Sequence, residues 1–304
     1  MLDNRKIIAL CISGIHEITS FEFVVALNEK ISEMGYTLFV YSTYSELDEN
    51  NTSVYGQSSV FELMDFSIID AVIVFNEKIK NKNVIDSIIS RAKAHGTPVA
   101  VIGEKYPDCT NIEFDNDCGF EMLARHIVEA HSISTIHFLA GDKGNVYSEQ
   151  RIEVLKRVLK NSHIDFDDSM ISYCGFWFEP AERAVNKLID DNNIPDAVIC
   201  ANDIMAIAAA GVFAKRGIKV PDDVIVTGYD GIDDIKFTTP RITSVKCSHS
   251  ILAERLAEVL PDIIDGKLTN RSVYVTPELI LSESCGCTPC SVISAAEYMN
   301  MLNK

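Results

Sequence analysis

Short runs rich in β-branched residues alternate along most of the chain with longer segments of helical periodicity, and no other feature limits the possible folds so strongly. The runs lie at Ile7–Ile12, Thr37–Tyr41, Ala71–Phe75, Pro98–Ile102, Thr135–Ala140, Met170–Cys174, Ala197–Ala201 and Val224–Tyr229. The helical segments lie at Phe21–Ile31, Asn83–Ala94, Cys118–Ala130, Ser148–Asn161, Glu179–Asp190, Asp203–Arg216 and Ile251–Ile264. Continuous apolar strands between amphipathic helices are typical of parallel sheets with helices on both faces. We therefore predict an α/β fold.

The same alternation indicates two lobes. It restarts near Thr135, which places a boundary near residue 133, and after Pro240 it weakens into a strand at Ile242–Val245, a long helix and a last strand at Ser272–Leu281. These extra elements indicate that each lobe takes strands from the end of the chain. We predict an N-terminal lobe of residues 1–133 plus 242–271 and a C-terminal lobe of residues 134–241 plus 272–287.

Residues 288–304 are predicted to form a tail or connector that belongs to neither lobe. Apolar residues recur there every three positions, which is enough for a short amphipathic helix, at Ile293, Ala296, Met299 and Leu302. We expect this segment to lead towards an output, such as a fused C-terminal domain.

Charge and cysteine content restrict the class of protein. The formal net charge of the 304 residues is −17, and a surface this acidic repels phosphate backbones and anionic membranes. No apolar run approaches the roughly 20 residues of a membrane span. The nine cysteines lack framework spacing, and some lie inside apolar runs, so we expect free thiols rather than a disulfide scaffold. We predict a cytoplasmic protein that binds neither nucleic acid nor membrane directly.

Polar and aromatic residues follow the predicted strands at their carboxyl ends, where open α/β sheets bind their ligands. Arginine, carboxylate and amide groups can pair with hydroxyls, and an aromatic face can cover the C–H side of a sugar ring. Such groups occur at Asp115, Arg151, Trp177, Phe178, Asn202, Asp203 and Asp230. These residues favour a site for a sugar or a related polyol.

Each of these residues also has a simpler interpretation. Asn202, Asp203 and Asp117 stand at strand-to-helix junctions, where such residues commonly cap helices. Trp177 is equally compatible with a place in the core. Arg151 could form a surface ion pair with a neighbouring glutamate, which would contribute little.

Three sequence blocks occur in an order and at a spacing that resemble the effector-binding core of the lactose/galactose-repressor (LacI/GalR) family, which is itself similar to periplasmic sugar-binding proteins. The blocks are Ala201-Asn202-Asp203, Gly228-Tyr229-Asp230 and Pro240-Arg241-Ile242-Thr243-Ser244-Val245. The resemblance runs from about Lys6 to Cys287. It implies a two-lobed periplasmic-binding-protein-like type I fold, with an interlobe hinge that closes on a small-molecule effector, and it implies a homodimer.

The resemblance also implies particular ligand contacts. Arg151, Asn202 and Asp230 match the family's ligand-binding arginine, asparagine and aspartate, Trp177 or Phe178 its aromatic wall, and Asp115 an aspartate that some members use. From the first lobe we expect His16, Ser20 and Phe21, although the Asn-Pro-Phe run common there is missing. The family's N-terminal helix-turn-helix is not found in this sequence either, so we predict sensing of a sugar-like or nucleoside-like effector without direct DNA reading.

Two other classes of protein share this architecture. A transport-type solute-binding protein needs a signal or lipidation sequence, and none is visible. A sugar- or nucleoside-processing enzyme needs a nucleophile–base pair or a phosphate loop, and neither is found. We therefore predict a regulatory sensor that is not an enzyme and uses no cofactor.

A cysteine group near the end of the chain has metal-ligand character. Cys285, Cys287 and Cys290 resemble part of a zinc or iron–sulfur motif, but they need a further ligand and a closed geometry. The Cys-Gly-Cys part is familiar in the tail of the family without a metal. His126 and His131 are interpreted as surface or core residues, and we predict no metal.

Overall fold

The computed structural model describes residues 5–47, 54–287 and 291–302. Its strands, numbered in chain order, are β1 (Ile7–Ser13), β2 (Thr37–Thr43), β3 (Ala71–Phe75), β4 (Val99–Ile102), β5 (Thr110–Phe114), β6 (Ile136–Ala140), β7 (Ile171–Tyr173), β8 (Ala197–Cys200), β9 (Ile225–Thr227), β10 (Ser244–Lys246), β11 (Ser272–Val275), β12 (Glu278–Leu281) and β13 (Ser291–Ile293). Its α-helices are α1 (Ile18–Glu33), α2 (Val54–Ser58), α3 (Asn76–Ile79), α4 (Lys82–Ala94), α5 (Asn116–Ala130), α6 (Val146–Asn161), α7 (Phe178–Asp190), α8 (Asp203–Lys215), α9 (His249–Ile264) and α10 (Ala295–Leu302).

The chain folds into two compact units. Unit 1 comprises Met1–Phe114 and Ser248–Val275, and unit 2 comprises Asp115–Cys247 and Thr276–Lys304. Each unit therefore contains a long N-terminal piece and a shorter piece from later in the chain.

Unit 1 is built around a parallel sheet with the strand order β11-β5-β4-β3-β1-β2. Every residue of β1 is buried, because alternate side chains enter different cores on the two faces of the sheet. Ile8 and Leu10 pack with helices α1 and α9, whereas Ala9 and Cys11 pack with helix α4. The continuous apolar run of β1 is therefore explained, as predicted, by burial on both faces of a parallel sheet.

Unit 2 combines a parallel sheet, in the order β7-β6-β8-β9, with an antiparallel sheet, in the order β10-β12-β13. Helix α8 is almost entirely apolar, and its buried residues join the core that also contains Phe138 and Val198 from the strands. Both sheets contribute to one continuous core, since Val245 and Leu279 belong to the same cluster. The predicted α/β class is confirmed.

The boundary between the units differs from the predicted position near residue 133. Helix α5 belongs to unit 2, so the division falls between Phe114 and Asp115. The reason is the direction of its apolar face: the ring of Phe120 packs edge-on against Phe138 at 5.7 Å and also contacts Tyr229. A restart of the strand–helix pattern marks the next strand, and it does not show on which core the preceding helix packs.

The predicted final strand at Ser272–Leu281 is in fact two strands in different units. Strand β11 pairs in parallel with β5 in unit 1, and β12 pairs antiparallel with β10 in unit 2. Pro277 lies between them and has no N–H group to donate to a ladder. The chain therefore changes sheet at this point.

For residues 291–302, the described part of the predicted tail, the expectation that they belong to neither lobe is wrong. Strand β13 pairs antiparallel with β12, with Leu279 opposite Ile293, and the side chain of Tyr298 in α10 is buried in the core of unit 2. The short amphipathic helix itself is confirmed by α10.

Strand β5 and the short helices α2 and α3 were not predicted. Among the described helices, none combines the length and apolar character that crossing a bilayer requires.

Candidate functional site

Arg151 is the best-defined polar residue at the carboxyl edge of the parallel sheet in unit 2. It lies on α6, the helix that follows β6, and only 7% of the residue is exposed. Its guanidinium carbon is 3.9 Å from the centroid of the Tyr229 ring, and its Nη1 donates a hydrogen bond to the carbonyl of Ala201. A cation that lies over an aromatic face is stabilised by the ring quadrupole. The alternative of a surface ion pair is therefore wrong.

Tyr229 is the platform beneath this arginine, and the sequence analysis did not name it as a contact residue. Its ring is fully buried, and its hydroxyl donates to Oδ1 of Asn116 at 2.9 Å. Burial raises the pKa of Tyr229 well above its ordinary value, so the phenol is neutral. The guanidinium of Arg151 therefore lies over a neutral ring.

Two buried polar atoms on the same face of α6 lack a hydrogen-bond partner among the described residues. They are Nε of Arg151 and Oγ of Ser148, three positions earlier on the helix. A buried polar group without a partner costs about 1–3 kcal/mol, which a ligand group that pairs with it can offset. Ser148 was missed at the sequence level, although its helical spacing from Arg151 could have revealed it.

Asn202 serves as the N-cap of helix α8. Its Oδ1 accepts a hydrogen bond from the backbone N–H of Met205 at 3.0 Å, and its Nδ2 donates to the carbonyl of Phe176 at 3.1 Å. The capping interpretation of Asn202 is therefore confirmed, and it fixes the amide at the sheet edge. The second N–H of the amide takes part in neither bond.

Asp203 is buried and supports the loop after β9. Oδ1 of its carboxylate accepts from the Ser244 hydroxyl at 2.6 Å, and Oδ2 accepts from the N–H of Ile232 at 2.8 Å. Burial and the nearby charge of Asp230 raise its pKa, whereas these two hydrogen bonds act in the opposite direction. Asp203 lies inside the first turn of α8, so its interpretation as a cap is wrong.

Asp230 presents an exposed side chain from a fixed backbone. Its φ of 104° is unusual for a residue other than glycine, and its N–H donates to the carbonyl of Val245 at 2.9 Å. The neighbouring Gly228 has no room for a side chain, since a Cβ would lie 2.1 Å from Oδ1 of Asp203 and 3.0 Å from its Cα. In the Gly-Tyr-Asp block, Gly228 therefore allows the chain to lie close to Asp203, Tyr229 supports Arg151, and Asp230 presents an exposed carboxylate.

The aromatic residues before α7 differ in exposure. Trp177 is 69% exposed and Phe178 is 37% exposed, so the interpretation of Trp177 as a core residue is wrong. Phe176, which the sequence analysis passed over, packs against Gly141, where a Cβ would lie 2.0 Å from its ring. The exposed indole remains suited to covering the apolar side of a ligand.

The remaining predicted contact residues lie in two places. Asp115 caps helix α5 by accepting from the N–H of Cys118 at 3.1 Å, which accounts for its side chain without a ligand. In unit 1, His16, Ser20 and Phe21 follow the carboxyl end of β1. His16 and Phe21 are exposed, whereas Oγ of Ser20 is buried and has no partner within the described ranges.

One further group of side chains in unit 2 has the character of a metal site. His126, His131, Cys285 and Cys287 bring their ligand atoms within 4.8 Å of one another. His126 is buried, in agreement with its interpretation as a core residue, but its meeting with His131 and the two cysteines was not predicted.

Comparison with known proteins places the fold in a family. A family model described as a periplasmic binding protein-like domain matches residues 124–285, which is more than half of the chain. The chain belongs to this family.

Related proteins are transcriptional regulators. The HTH-type transcriptional repressor PurR of Mannheimia succiniciproducens is 26% identical over 267 residues, which are 86% of this chain and 76% of that protein. The HTH-type transcriptional regulator MalR of Clostridium butyricum is 25% identical over 288 residues, which are 93% and 83% of the two chains.

Solved structures agree on the fold. The complex of the transcriptional regulator CelR with cellobiose has a TM-score of 0.68 at 22% identity and covers 92% of this chain and 85% of that one. A sugar-binding regulator of the LacI family from Escherichia coli, in complex with phosphate, has a TM-score of 0.69 at 21% identity and covers 91% and 97% of the two chains. The predicted periplasmic-binding-protein-like fold is confirmed.

Proposed function

We propose that this chain is the ligand-sensing domain of a transcriptional or signalling regulator and that it binds a small, hydroxyl-rich molecule, with sugars as the first class to test. The observation that carries the proposal is the buried guanidinium of Arg151, which lies on Tyr229 and has a buried Nε without a partner among the described residues. A buried arginine placed in this way can donate to ligand oxygens in a fixed direction. The relatives among transcriptional regulators support the same assignment.

The proposed contacts follow from the chemistry of the groups. Arg151 and Ser148 would donate to hydroxyl or ring oxygens, and the second N–H of Asn202 would donate to a further oxygen. The exposed carboxylate of Asp230 would accept from a pair of ligand hydroxyls. Trp177 would cover the C–H side of the ring. Oγ of Ser148 has no hydrogen-bonded base among the described residues, so it lacks the activation that a nucleophilic serine requires, and we propose a sensor rather than an enzyme.

We also propose that the regulator is a homodimer. The dimeric Lac repressor, whose solved structure shares this fold with a TM-score of 0.67, supports the proposal. Light scattering coupled to size-exclusion chromatography would measure the mass directly. A mass equal to that of one chain across the accessible concentration range would contradict the dimer.

The binding proposal is tested by thermal-shift screening against sugars and nucleosides, followed by calorimetry on each hit. Arg151→Met removes the charge and donors but retains much of the volume, and we expect at least a tenfold loss of affinity. Asp230→Asn should weaken binding of hydroxyl-rich ligands in the same way. A charge-assisted hydrogen bond contributes about 1.5–3 kcal/mol, which corresponds to this range of affinity.

Two matched variants show whether a loss of affinity is specific to the proposed contact residues. Arg157→Met lies on the same helix α6 but replaces an exposed arginine paired with Glu121, and Asp234→Asn replaces an exposed aspartate near Asp230. Both should bind as the unchanged protein does. Equal affinity in Arg151→Met would contradict the assigned site, and conversion of a hit into a product would contradict the role as a sensor.

A further inference from the structure

We propose that His126, His131, Cys285 and Cys287 bind a single zinc ion in tetrahedral geometry. The histidines come from the end of helix α5, where His131 is the residue that follows the last helical turn. The cysteines come from the short turn after β12. Helix α5 ends shortly before β6 begins, so the cluster lies towards the amino end of that strand, whereas the proposed ligand contacts follow carboxyl ends. Cys290 lies outside the described residues.

Four of the six separations between the ligand atoms are close to those of a zinc tetrahedron. Zinc–nitrogen bonds of about 2.0–2.1 Å and zinc–sulfur bonds of about 2.3 Å place two nitrogens about 3.3 Å apart and a nitrogen and a sulfur about 3.5 Å apart. The two Nε2 atoms of His126 and His131 are 3.3 Å apart, and Nε2 of His126 is 3.5 Å from Sγ of Cys287 and 3.9 Å from Sγ of Cys285. Nε2 of His131 is 3.8 Å from Sγ of Cys287.

Hydrogen bonds alone do not account for this convergence. Nε2 of His126 faces the other histidine nitrogen and both sulfur atoms, but an imidazole nitrogen carries either one proton or one lone pair. It can therefore make one of these three hydrogen bonds. The two rings are nearly perpendicular, with an interplanar angle of 84°, and a shared metal would be bound by all four atoms at once.

The turn that carries the cysteines is held in place by its neighbours. Oγ of Ser284 donates to the carbonyl of Val226 at 2.6 Å and accepts from the N–H of Thr243 at 2.8 Å. Gly286 has a φ of 88°, in the left-handed region that favours glycine, and this reversal brings Cys285 and Cys287 to the same side. The ligands are thus positioned by the fold before any metal binds.

The neighbours of Cys285 also suit a metal site. A hydrogen-bond donor to the ligand sulfur helps to hold a metal-bound thiolate. The Thr243 hydroxyl lies 3.0 Å from Sγ and would donate to the sulfur from outside the coordination sphere. Cys285 and His126 are buried, and Cys287 and His131 are half-buried, which is typical of a closed structural site.

The expected role of this zinc is structural. It would cross-link two parts of unit 2 that are far apart in sequence, since His126 and Cys285 are separated by 159 positions. The metal would therefore hold the turn after β12, and with it the strand pairing between β12 and β13, against the end of helix α5. Binding involves no redox change: four bonds to zinc form, water ligands leave the ion, and each protonated thiol releases its proton to solvent.

Metal content of the whole chain, purified under reducing conditions with zinc in the growth medium, is the direct test. We expect about one zinc per chain by mass spectrometry, and exchange for cobalt should give the intense visible bands of a tetrahedral ion together with a thiolate charge-transfer band. Cys287→Ser and His131→Gln alter the half-buried ligands and should lose the thiolate or tetrahedral signature and most of the metal. Removal of zinc from the unchanged protein should lower its melting temperature, and added zinc should restore it.

A matched variant tests whether the loss of metal is specific to the proposed ligands or follows from the loss of any cysteine. Cys118→Ser replaces a half-buried thiol on the same helix α5 and should retain the full metal content. If a ligand variant fails to fold, the cobalt spectrum of the unchanged protein still decides the matter. Folded, reduced protein that binds neither zinc nor cobalt stoichiometrically, or a cobalt spectrum without thiolate character, would overturn the proposal.

Discussion

His137 illustrates how the surroundings of one residue set its protonation. It lies in β6 with its ring buried, and its Nε2 is 2.9 Å from the hydroxyl of Ser172 in the neighbouring strand β7. Burial lowers the pKa of His137 from 6.5 to about 4. The folded protein therefore keeps this imidazole neutral under conditions in which the unfolded chain protonates it.

This shift predicts a loss of stability in mild acid. As the pH falls below 6.5 towards 4, the unfolded state gains a proton that the folded state does not, and the free energy of unfolding falls by up to about 1.4 kcal/mol per pH unit from this residue. Above pH 6.5 the contribution is fully present. His137→Gln retains a group that can bond to Ser172 but does not titrate, so the dependence on pH should become shallower. Urea unfolding from about pH 7.5 to about pH 4.5 measures it.

The exposed His163 provides the control for this experiment. His163→Gln makes the same substitution at an exposed position, where no buried contact is lost, and its slope of unfolding free energy against pH is the reference for His137→Gln. An unchanged slope in His137→Gln would show that other groups dominate the acid response.

At the scale of elements, α10 shows how a terminal helix becomes part of a core. Its Tyr298 is 5% exposed and packs with the core of unit 2, yet its hydroxyl is buried and has no partner among the described residues. The ring therefore contributes apolar contact, whereas the hydroxyl is desolvated without compensation.

A pair of substitutions separates these two contributions. Tyr298→Phe should leave the free energy of unfolding unchanged or raise it, because it removes only the unpaired hydroxyl. Tyr298→Ala should lower it by about 3–5 kcal/mol, which is typical of deleting a buried aromatic ring. Chemical denaturation measures both. A negligible effect of Tyr298→Ala would mean that α10 is not packed on unit 2.

At the scale of the whole molecule, the charge of −17 acts over long distances. Many cationic side chains are also engaged locally: Nε and Nη2 of Arg241 both donate to Oε1 of Glu283, and Lys78 contacts Glu17 at 2.6 Å. Few basic groups are therefore available to replace the counterions around a phosphate backbone.

We accordingly expect this chain not to retain duplex DNA at physiological ionic strength. Fluorescence anisotropy with random duplexes, over a range of salt concentrations, measures the affinity and its salt dependence. Binding in the micromolar range that weakens steeply with salt would contradict the expectation, because that behaviour requires several phosphate contacts.

The sequence by itself determined the class of fold, most of the regular elements and the loops that carry the proposed ligand contacts. These features depend on local patterns: strand and helix periodicity, and polar residues directly after apolar runs. They can therefore be predicted without knowledge of tertiary contacts. Arg151, Asn202 and Asp230 could be named in this way, and the helical spacing of Ser148 from Arg151 would have indicated Ser148 as well. Phe176 could not be named, because its role depends on which neighbours enclose it.

Only the tertiary structure decided how the pieces combine. Helix α5 packs on unit 2, the segment after Val275 changes sheet, and the last residues extend a sheet rather than forming a separate tail. The meeting of His126 and His131 with Cys285 and Cys287 has the same origin. Periodicity carries no information about contacts between residues 159 positions apart, which are set by the packing of the helix and the strands between them.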